Sequence, residues 1–313
     1  MYMSTILISE FITSQALETL GAAHELIYAP ELHKDRIALI TALQKVDALI
    51  VRNLTKVDSE LLSNAPQLKV VGRLGVGLEN IELPVCNQRG IKVIPATGAN
   101  AESVAEYVIA TATTLIRGFI PATHSTLMGQ WPRPRFSEYH EASQKILGIV
   151  GFGSIGRVLA SKAHAFGFQC IAHDPLLSTN LVTLDDFSVP LLSLDQLLIQ
   201  SDVVSLHLPL LPQTKGLFNQ SLLEKMKRGA CLINTARGGI VDEQALAASL
   251  RSGQLAGAAL DVFASEPAID LSHFLGIENL ILTPHIAGVT QESNERVSQL
   301  IADEVLRYLG DKA

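Results

Sequence analysis

The sequence predicts an α/β fold of two doubly wound parallel-sheet domains. Three observations predict it: short apolar runs alternate with segments of helical spacing, the alternation breaks once near the middle, and it then restarts. Strands buried on both faces read as unbroken apolar runs. The composition agrees, with 48% of residues hydrophobic and 18% charged, against roughly 25% charged in ordinary soluble domains. At 313 residues the chain exceeds what one core fills efficiently, so two domains are expected.

In chain order, Thr5–Ile8, Glu25–Tyr28, Ala48–Val51, Leu68–Gly72 and Ile91–Ile94 read as strands. Helical spacing over Ser14–Leu20, Asp35–Leu43 and Ser59–Asn64 separates them. Asn100 is placed as the N-cap of a long helix, Ala101–Arg117, with an acid early and Arg117 late. Gly118–Ser143 contains Pro121, Gly129, Trp131, Pro132 and Pro134, so it cannot be one regular element and reads as an arm. Strands then recur near Lys145–Val150, Gln169–His173, Val203–Leu206, Ala230–Asn234, Ala256–Asp261 and Leu280–Leu282. A final amphipathic helix, about Thr290–Leu309, has no further strand to cover and is expected to return to the first domain. The expected division is 1–99 with 289–313 for one domain and 100–288 for the other, with the arm at about 118–143.

Charge and cysteine usage exclude several classes. With 24 basic and 31 acidic side chains the net charge is −7, which disfavours a nucleic-acid partner. Cys86, Cys170 and Cys231 are odd in number and lie in apolar settings, the pattern of buried thiols in a reducing cytoplasm. The N-terminus lacks a basic segment and a long apolar core, so no signal peptide is expected. No apolar run approaches the roughly 20 residues of a membrane span. No His, Cys and carboxylate cluster has metal-ligand spacing, so no metal is expected.

The strand Lys145–Val150 runs into Gly151-Phe-Gly153-Ser-Ile-Gly156 and then a helical stretch. Gly151 permits the tight turn, Gly153 lets a pyrophosphate approach the backbone, and Gly156 allows close helix–sheet packing. The free N–H groups and dipole of the helix start face the phosphates. The next strand ends on Asp174, 18 residues after Gly156. An acid there accepts from ribose hydroxyls and repels a 2′-phosphate, which favours NAD over NADP.

Three further polar residues stand at or past strand ends of this second domain, where open parallel sheets bind ligands. They are Arg237, before Gly238-Gly239; Glu266, before Pro267; and His285, in Thr283-Pro-His-Ile-Ala-Gly288. A guanidinium fork matches the adjacent carboxylate and carbonyl of a 2-keto acid. An imidazole can give or take the proton as hydride moves. A carboxylate on its other nitrogen fixes the tautomer. Taken singly, each also fits a solvated turn, a helix-start acid or a capped loop histidine; together they point to hydride transfer on a 2-hydroxy or 2-keto acid.

With these motifs on the page, the chain resembles the D-isomer-specific 2-hydroxyacid dehydrogenases, of the phosphoglycerate, glyoxylate/hydroxypyruvate and sulfolactate dehydrogenase kind. The resemblance spans essentially the whole chain through Val150–Gly156, His207-Leu-Pro209 with Thr214, Asn234–Gly238, Asp261–Pro267 and Thr283–Gly288. It implies a Rossmann NAD-binding domain, a flavodoxin-like substrate domain, a cleft between them, and a homodimer. The family's catalytic arginine, glutamate and histidine fall on Arg237, Glu266 and His285. Its cofactor contacts fall on Ser154, Ile155, Asp174, Thr235, Asp261 and Gly288, beside the glycines and the His207 and Thr214 motif.

In the first domain, Val71–Asn80 is a strand entering a second glycine loop. The resemblance assigns its backbone N–H groups at Leu74, Gly75 and Val76 to the substrate carboxylate, and a nest of N–H groups suits an anion. Arg52 and Asn53 follow the strand Ala48–Val51 on the substrate side, where Arg52 could pair with a second acidic group. Arg133 and Arg135 of the arm fit either that task or a dimer-contact loop with solvated arginines. His24, His124, His164, His173 and His273 lack partner patterns and are expected to be structural. At 313 residues the sequence is expected not to carry the C-terminal regulatory domain of some phosphoglycerate dehydrogenases. Two other functions remain open, an NAD-sensing corepressor and a formate or phosphite dehydrogenase; Glu266 disfavours formate, whose chemistry usually employs a glutamine.

Overall fold

The computed structural model describes residues 3–310. Residues 1–2 and 311–313, which the expected N-terminal reading and domain bounds include, lie outside them. Strands β1 (Thr5–Ile8), β2 (Glu25–Tyr28), β3 (Ala48–Val51), β4 (Val70–Arg73) and β5 (Lys92–Pro95) form one parallel sheet in the order β2-β1-β3-β4-β5. Helices α1 (Ser14–Gly21), α2 (Arg36–Ala42), α3 (Ser59–Ser63) and α4 (Leu83–Gln88) alternate with them. Side chains alternate along each strand. Ile6, Ile8, Ala48, Ile50 and Val70 therefore pack on one face, and Leu7, Leu49, Val51 and Val71 on the other.

Helix α5 (Ala101–Arg117) has the expected bounds, but Asn100 does not cap it: its Oδ1 is buried and accepts no hydrogen bond. The arm is not one regular element but two short helices, α6 (Phe119–Leu127) and α7 (Arg133–Phe136). Pro121 and Pro134 sit within the first turns, whose N–H groups have no intrahelical acceptor to lose. Arg135 forms a surface ion pair, its Nη2 2.6 Å from Glu278 Oε2, with both side chains exposed.

The second sheet comprises β6 (Ile146–Val150), β7 (Gln169–His173), β10 (Val203–Leu206), β11 (Ala230–Asn234), β12 (Leu255–Leu260) and β13 (Leu280–Leu282). Between β7 and β10 stands an antiparallel hairpin, β8 (Leu181–Leu184) with β9 (Phe187–Pro190), which the apolar pattern did not reveal. The six parallel strands run in the order β13-β12-β11-β10-β6-β7. One face is covered by α5 and α8 (Ser154–Phe166), the other by α9 (Leu194–Gln200), α10 (Gln220–Lys225) and α11 (Glu243–Arg251). The three cysteines are buried and unpaired; burial pushes the thiols of Cys170 and Cys231 up to about 12, which keeps them protonated and unreactive.

The last helix, α12 (Gln291–Gly310), starts where Thr290 Oγ1 accepts the Ser293 N–H at 3.0 Å. Its Val297, Ile301, Val305 and Leu309 join the core made by β1, β3, β4 and α1. The chain thus divides into two compact units, one running to Asn100 and resumed from Val289, the other Ala101–Gly288. No helix among the described residues is long and apolar enough to cross a membrane.

Candidate active site

Order reversal fixes where the second unit can bind a ligand. From β6 the chain steps one way to β7 and the other way to β10, so the crevice beyond the carboxyl ends of β6 and β10 is the topological switch point. The glycine loop lies there. Gly151, at φ +98°, packs so tightly that an added Cβ would stand 2.5 Å from the His207 carbonyl oxygen. A Cβ on Gly156 would stand 2.4 Å from the Gly151 oxygen, which brings the first turn of α8, with Ser154 and Ile155, against the loop. His207 follows β10; its Nε2 lies 2.9 Å from the buried Ser205 hydroxyl, and burial brings its pKa down to about 4, so the ring is neutral. Thr214 Oγ1 accepts from Leu211 N at 2.7 Å and donates to Pro209 O at 2.7 Å, which folds the loop after His207.

These residues fit a dinucleotide. Gly153 begins α8 with nothing within 4 Å of where a Cβ would be, leaving backbone open at the helix start. Asp174, after β7, is fixed by the Phe152 N–H on Oδ2 at 2.8 Å and the Leu176 N–H on Oδ1 at 2.9 Å. Thr235, after β11, has a buried Oγ1 without a hydrogen-bond partner. A buried hydroxyl left unpaired is an opening for a ligand group.

The proposed catalytic residues stand beyond β11, β12 and β13, neighbours in the sheet. His285 Nδ1 lies 2.7 Å from Glu266 Oε2, and Glu266 Oε1 accepts the Phe263 N–H at 3.0 Å. His285 adopts φ +58°, a left-handed conformation that costs of order 1–3 kcal/mol outside glycine. Its surroundings enforce it. The His285 N–H donates to Asp261 O at 2.8 Å, and the buried Asp261 carboxylate accepts Thr283 Oγ1 at 2.6 Å, Ile286 N at 2.7 Å and Ala287 N at 2.8 Å. Tyr107 OH, 2.6 Å from Thr283 Oγ1, extends this chain; burial raises its pKa, so it remains a donor. Gly288 closes the same loop and ends the unit.

Arg237 is shaped differently. Asn234, buried at the end of β11, accepts from Ala236 N and donates to Arg237 O, both at 3.0 Å. Arg237 Nη1 donates to Ala236 O at 2.6 Å. Tyr107 was not singled out in the sequence, because its partner Thr283 lies 176 residues away; Asn234 and Ser205 bond residues two or three positions on, but their types alone do not mark them. Asp261, singled out for the cofactor, also has a carboxylate that accepts from the histidine loop.

In the first unit, the buried Glu10 carboxylate accepts the N–H groups of Arg52 at 2.8 Å, Leu54 at 3.0 Å and Thr55 at 2.9 Å. That holds Arg52 and Asn53 at the β1/β3 switch point of the first sheet. Arg52 Nη2 donates to Asn294 Oδ1, and its guanidinium carbon lies 5.7 Å from the Phe11 ring centroid. Burial lowers the Arg52 pKa, opposed by Glu10. The carboxylate cradle is narrower than expected. Leu74 N–H donates to Val51 O and Gly75 N–H to Arg73 O, both at 2.8 Å, because the loop turns back on its own strands; Val76 remains as the amide of the three for the cradle. Among the described residues no group of His, Cys, Asp and Glu is placed to hold a metal ion.

Comparison with known proteins defines the class. Residues 109–287 match the family model for the NAD binding domain of D-isomer specific 2-hydroxyacid dehydrogenases. The chain belongs to that family, oxidoreductases that act on 2-hydroxy acids with NAD. It is 48% identical over 315 residues to (S)-sulfolactate dehydrogenase of Chromohalobacter salexigens, covering 99% of this chain and 100% of that one. It is 37% identical to D-3-phosphoglycerate dehydrogenase of Mycobacterium leprae over 97% of this chain, but spans only 57% of that relative. The D-lactate dehydrogenase of Aquifex aeolicus, solved with NAD and lactic acid, superposes with a TM-score of 0.82 at 28% identity, covering 98% of this chain and 96% of that one.

Proposed function

We propose that the protein interconverts a small 2-hydroxy acid carrying a second anionic group with its 2-keto acid, (S)-sulfolactate being the leading candidate. The observation that carries the chemistry is the 2.7 Å contact between His285 Nδ1 and Glu266 Oε2. It leaves Nε2 as the nitrogen for the substrate oxygen. The Gly151–Gly156 loop, Asp174 and Thr235 would hold NAD, which when bound would supply the hydride chemistry at the hydroxyl-bearing carbon. During oxidation His285 takes the hydroxyl proton at Nε2; during reduction it delivers that proton to the former carbonyl oxygen. Glu266 holds the tautomer and the orientation of the ring. Arg237 binds the carboxylate and carbonyl side by side.

Support for the second anion comes from Arg52, a guanidinium held by Asn294 and Phe11 on a loop pinned by Glu10, and from the 48% identity to a sulfolactate enzyme. The unit with Arg52, Asn53 and the Val76 amide serves as the substrate domain, and the unit with Gly151, Asp174 and Thr235 as the cofactor domain. The exposed Phe119, Leu127, Met128 and Trp131 of the arm support a homodimer, the three buried thiols support the cytoplasm, and a net charge of −7 disfavours nucleic acid.

The test is NADH oxidation by purified protein against glyoxylate, hydroxypyruvate, pyruvate, phosphohydroxypyruvate and sulfopyruvate, repeated with NADPH. Fastest turnover of sulfopyruvate with NADH is expected, and Arg52→Ala should remove that preference. Tight NADH binding with every acid inert would overturn the reading in favour of a sensor.

A further inference from the structure

Glu266 sits on a loop whose residues Ala264, Ser265 and Pro267 are exposed along with it. An exposed loop presents a carboxylate in one orientation only if its backbone is pinned. One pin is the loop's own, the Phe263 N–H on Glu266 Oε1. The other comes from α11, where Glu243 Oε1 accepts the Ala264 N–H at 2.7 Å.

Glu243 is built for that contact. It is the first residue of α11, behind the N-cap Asp242, where the helix dipole favours negative charge. A carboxylate accepting a backbone N–H makes a charge-assisted hydrogen bond, among the stronger kinds. Glu243 Oε2 lies 3.3 Å from His273 Nε2, with the two side chains only 15% and 12% exposed. The His273 ring packs on Phe274 at 4.3 Å between centroids, and its carbonyl accepts from Arg251 Nη2 at 2.6 Å. Arg251 is the last residue of α11. One helix therefore holds the glutamate loop with its first residue and the His273 segment with its last.

We propose that Glu243 is a positioning residue for the Glu266–His285 pair, acting through the Ala264 amide. It rests on the reading of Glu266 and His285 as the proton-transfer pair. Ala264 is exposed, so water replaces a lost acceptor and the fold survives; the orientation of Glu266 does not. Misplacement of a reacting group by about 1 Å can lower rates about a hundredfold.

The experiment measures kcat, KM, NADH affinity by fluorescence titration, and the thermal midpoint for Glu243→Ala, Glu243→Gln, Glu266→Ala, His285→Ala and the Glu243→Ala/Glu266→Ala double variant. The substrate is whichever acid of the panel turns over fastest. Glu243→Ala should lower kcat about ten- to a hundredfold with NADH affinity unchanged. Glu243→Gln, which keeps an oxygen for Ala264, should recover most of the loss. In the Glu266→Ala background the Glu243→Ala change should have no further effect, since groups acting through one another are non-additive. Equal effects in both backgrounds, or an unchanged kcat in Glu243→Ala, would overturn the proposal. If Glu243→Ala does not fold, Glu243→Asp, which keeps the charge but shortens the reach, should lower kcat, and an unchanged kcat there overturns it too. Full activity in His285→Ala would instead remove the catalytic reading on which it rests.

Discussion

The carbonyl of Phe263 occupies the space into which a side chain at Gly238 would project: an added Cβ would stand 1.6 Å from its oxygen. The loop carrying Arg237 and the loop leading to Glu266 thus touch backbone to backbone. Gly238→Ala cannot be absorbed by a rotamer change, because the obstacle is main chain. It should lose about 1–3 kcal/mol of stability, the usual cost of overpacking, and most of its turnover. Chemical denaturation and steady-state rates check both, and wild-type turnover would show that the two loops need not touch.

His285→Ala should lower kcat by about 10²–10⁴-fold, the usual contribution of a general acid–base group. NADH affinity should stay near wild type. Loss of binding in step with activity would mean that His285 supports the cofactor site instead.

Asp261→Asn replaces an acceptor that takes three donors by a group with one acceptor oxygen. Its new NH₂ must face a donor from the Thr283–Ala287 segment, so stability should fall by about 1–3 kcal/mol, the cost of an unsatisfied buried polar group. The rate should fall further than stability alone explains, because His285 loses the frame that holds its positive φ. Denaturation and kinetics on the same preparation separate the two.

Asp174→Ala should reduce the preference for NADH over NADPH, read as the ratio of kcat/KM, by about tenfold or more, equivalent to about 1.4 kcal/mol. NADH affinity should also weaken, since the Phe152 N–H loses its acceptor. An unchanged ratio would move cofactor discrimination elsewhere.

Much of this arrangement is legible in the sequence. Strands β3, β10 and β11 are buried throughout, so their apolar runs gave their bounds directly. The glycine loop and the Arg237, Glu266 and His285 settings are local in the chain, and local patterns survive in one dimension. The hairpin β8–β9 was not visible because its burial alternates and its core is borrowed from β7 and α8. Asn100 misled because an N-cap is defined by where its oxygen points. The bond from Ala264 to Glu243 spans 21 residues, and the pairing of Leu74 and Gly75 N–H groups depends on how one turn closes. His273 read as structural and Glu243 was not singled out; only the fold brings Glu243 to the Ala264 amide.

His207 gives a pH prediction. Its folded pKa, about 4, is below its ordinary 6.5, so between those values the unfolded chain binds a proton that the folded chain does not. Stability therefore rises with pH across that window and falls on acidification, by about 1.4 kcal/mol for each pKa unit separating the states. His207→Gln should flatten this dependence between pH 4 and 6.5, followed by denaturation midpoints in a buffer series. A slope identical to wild type would mean that the ring is protonated in the folded state.

Gly72 of β4 lies against the last helix, where an added Cβ would stand 2.7 Å from Ile301 and 3.0 Å from Val305. On the ribosome, the first sheet must wait for residues made after the middle unit, with Ile6, Ile8 and Ile50 lacking one wall until α12 emerges. The unit in the middle of the chain, whose residues are contiguous, is complete earlier. The order of synthesis and the order of completion are thus inverted, and a nascent chain stalled before Val297 would present a finished cofactor domain tethered to an open, chaperone-accessible sheet.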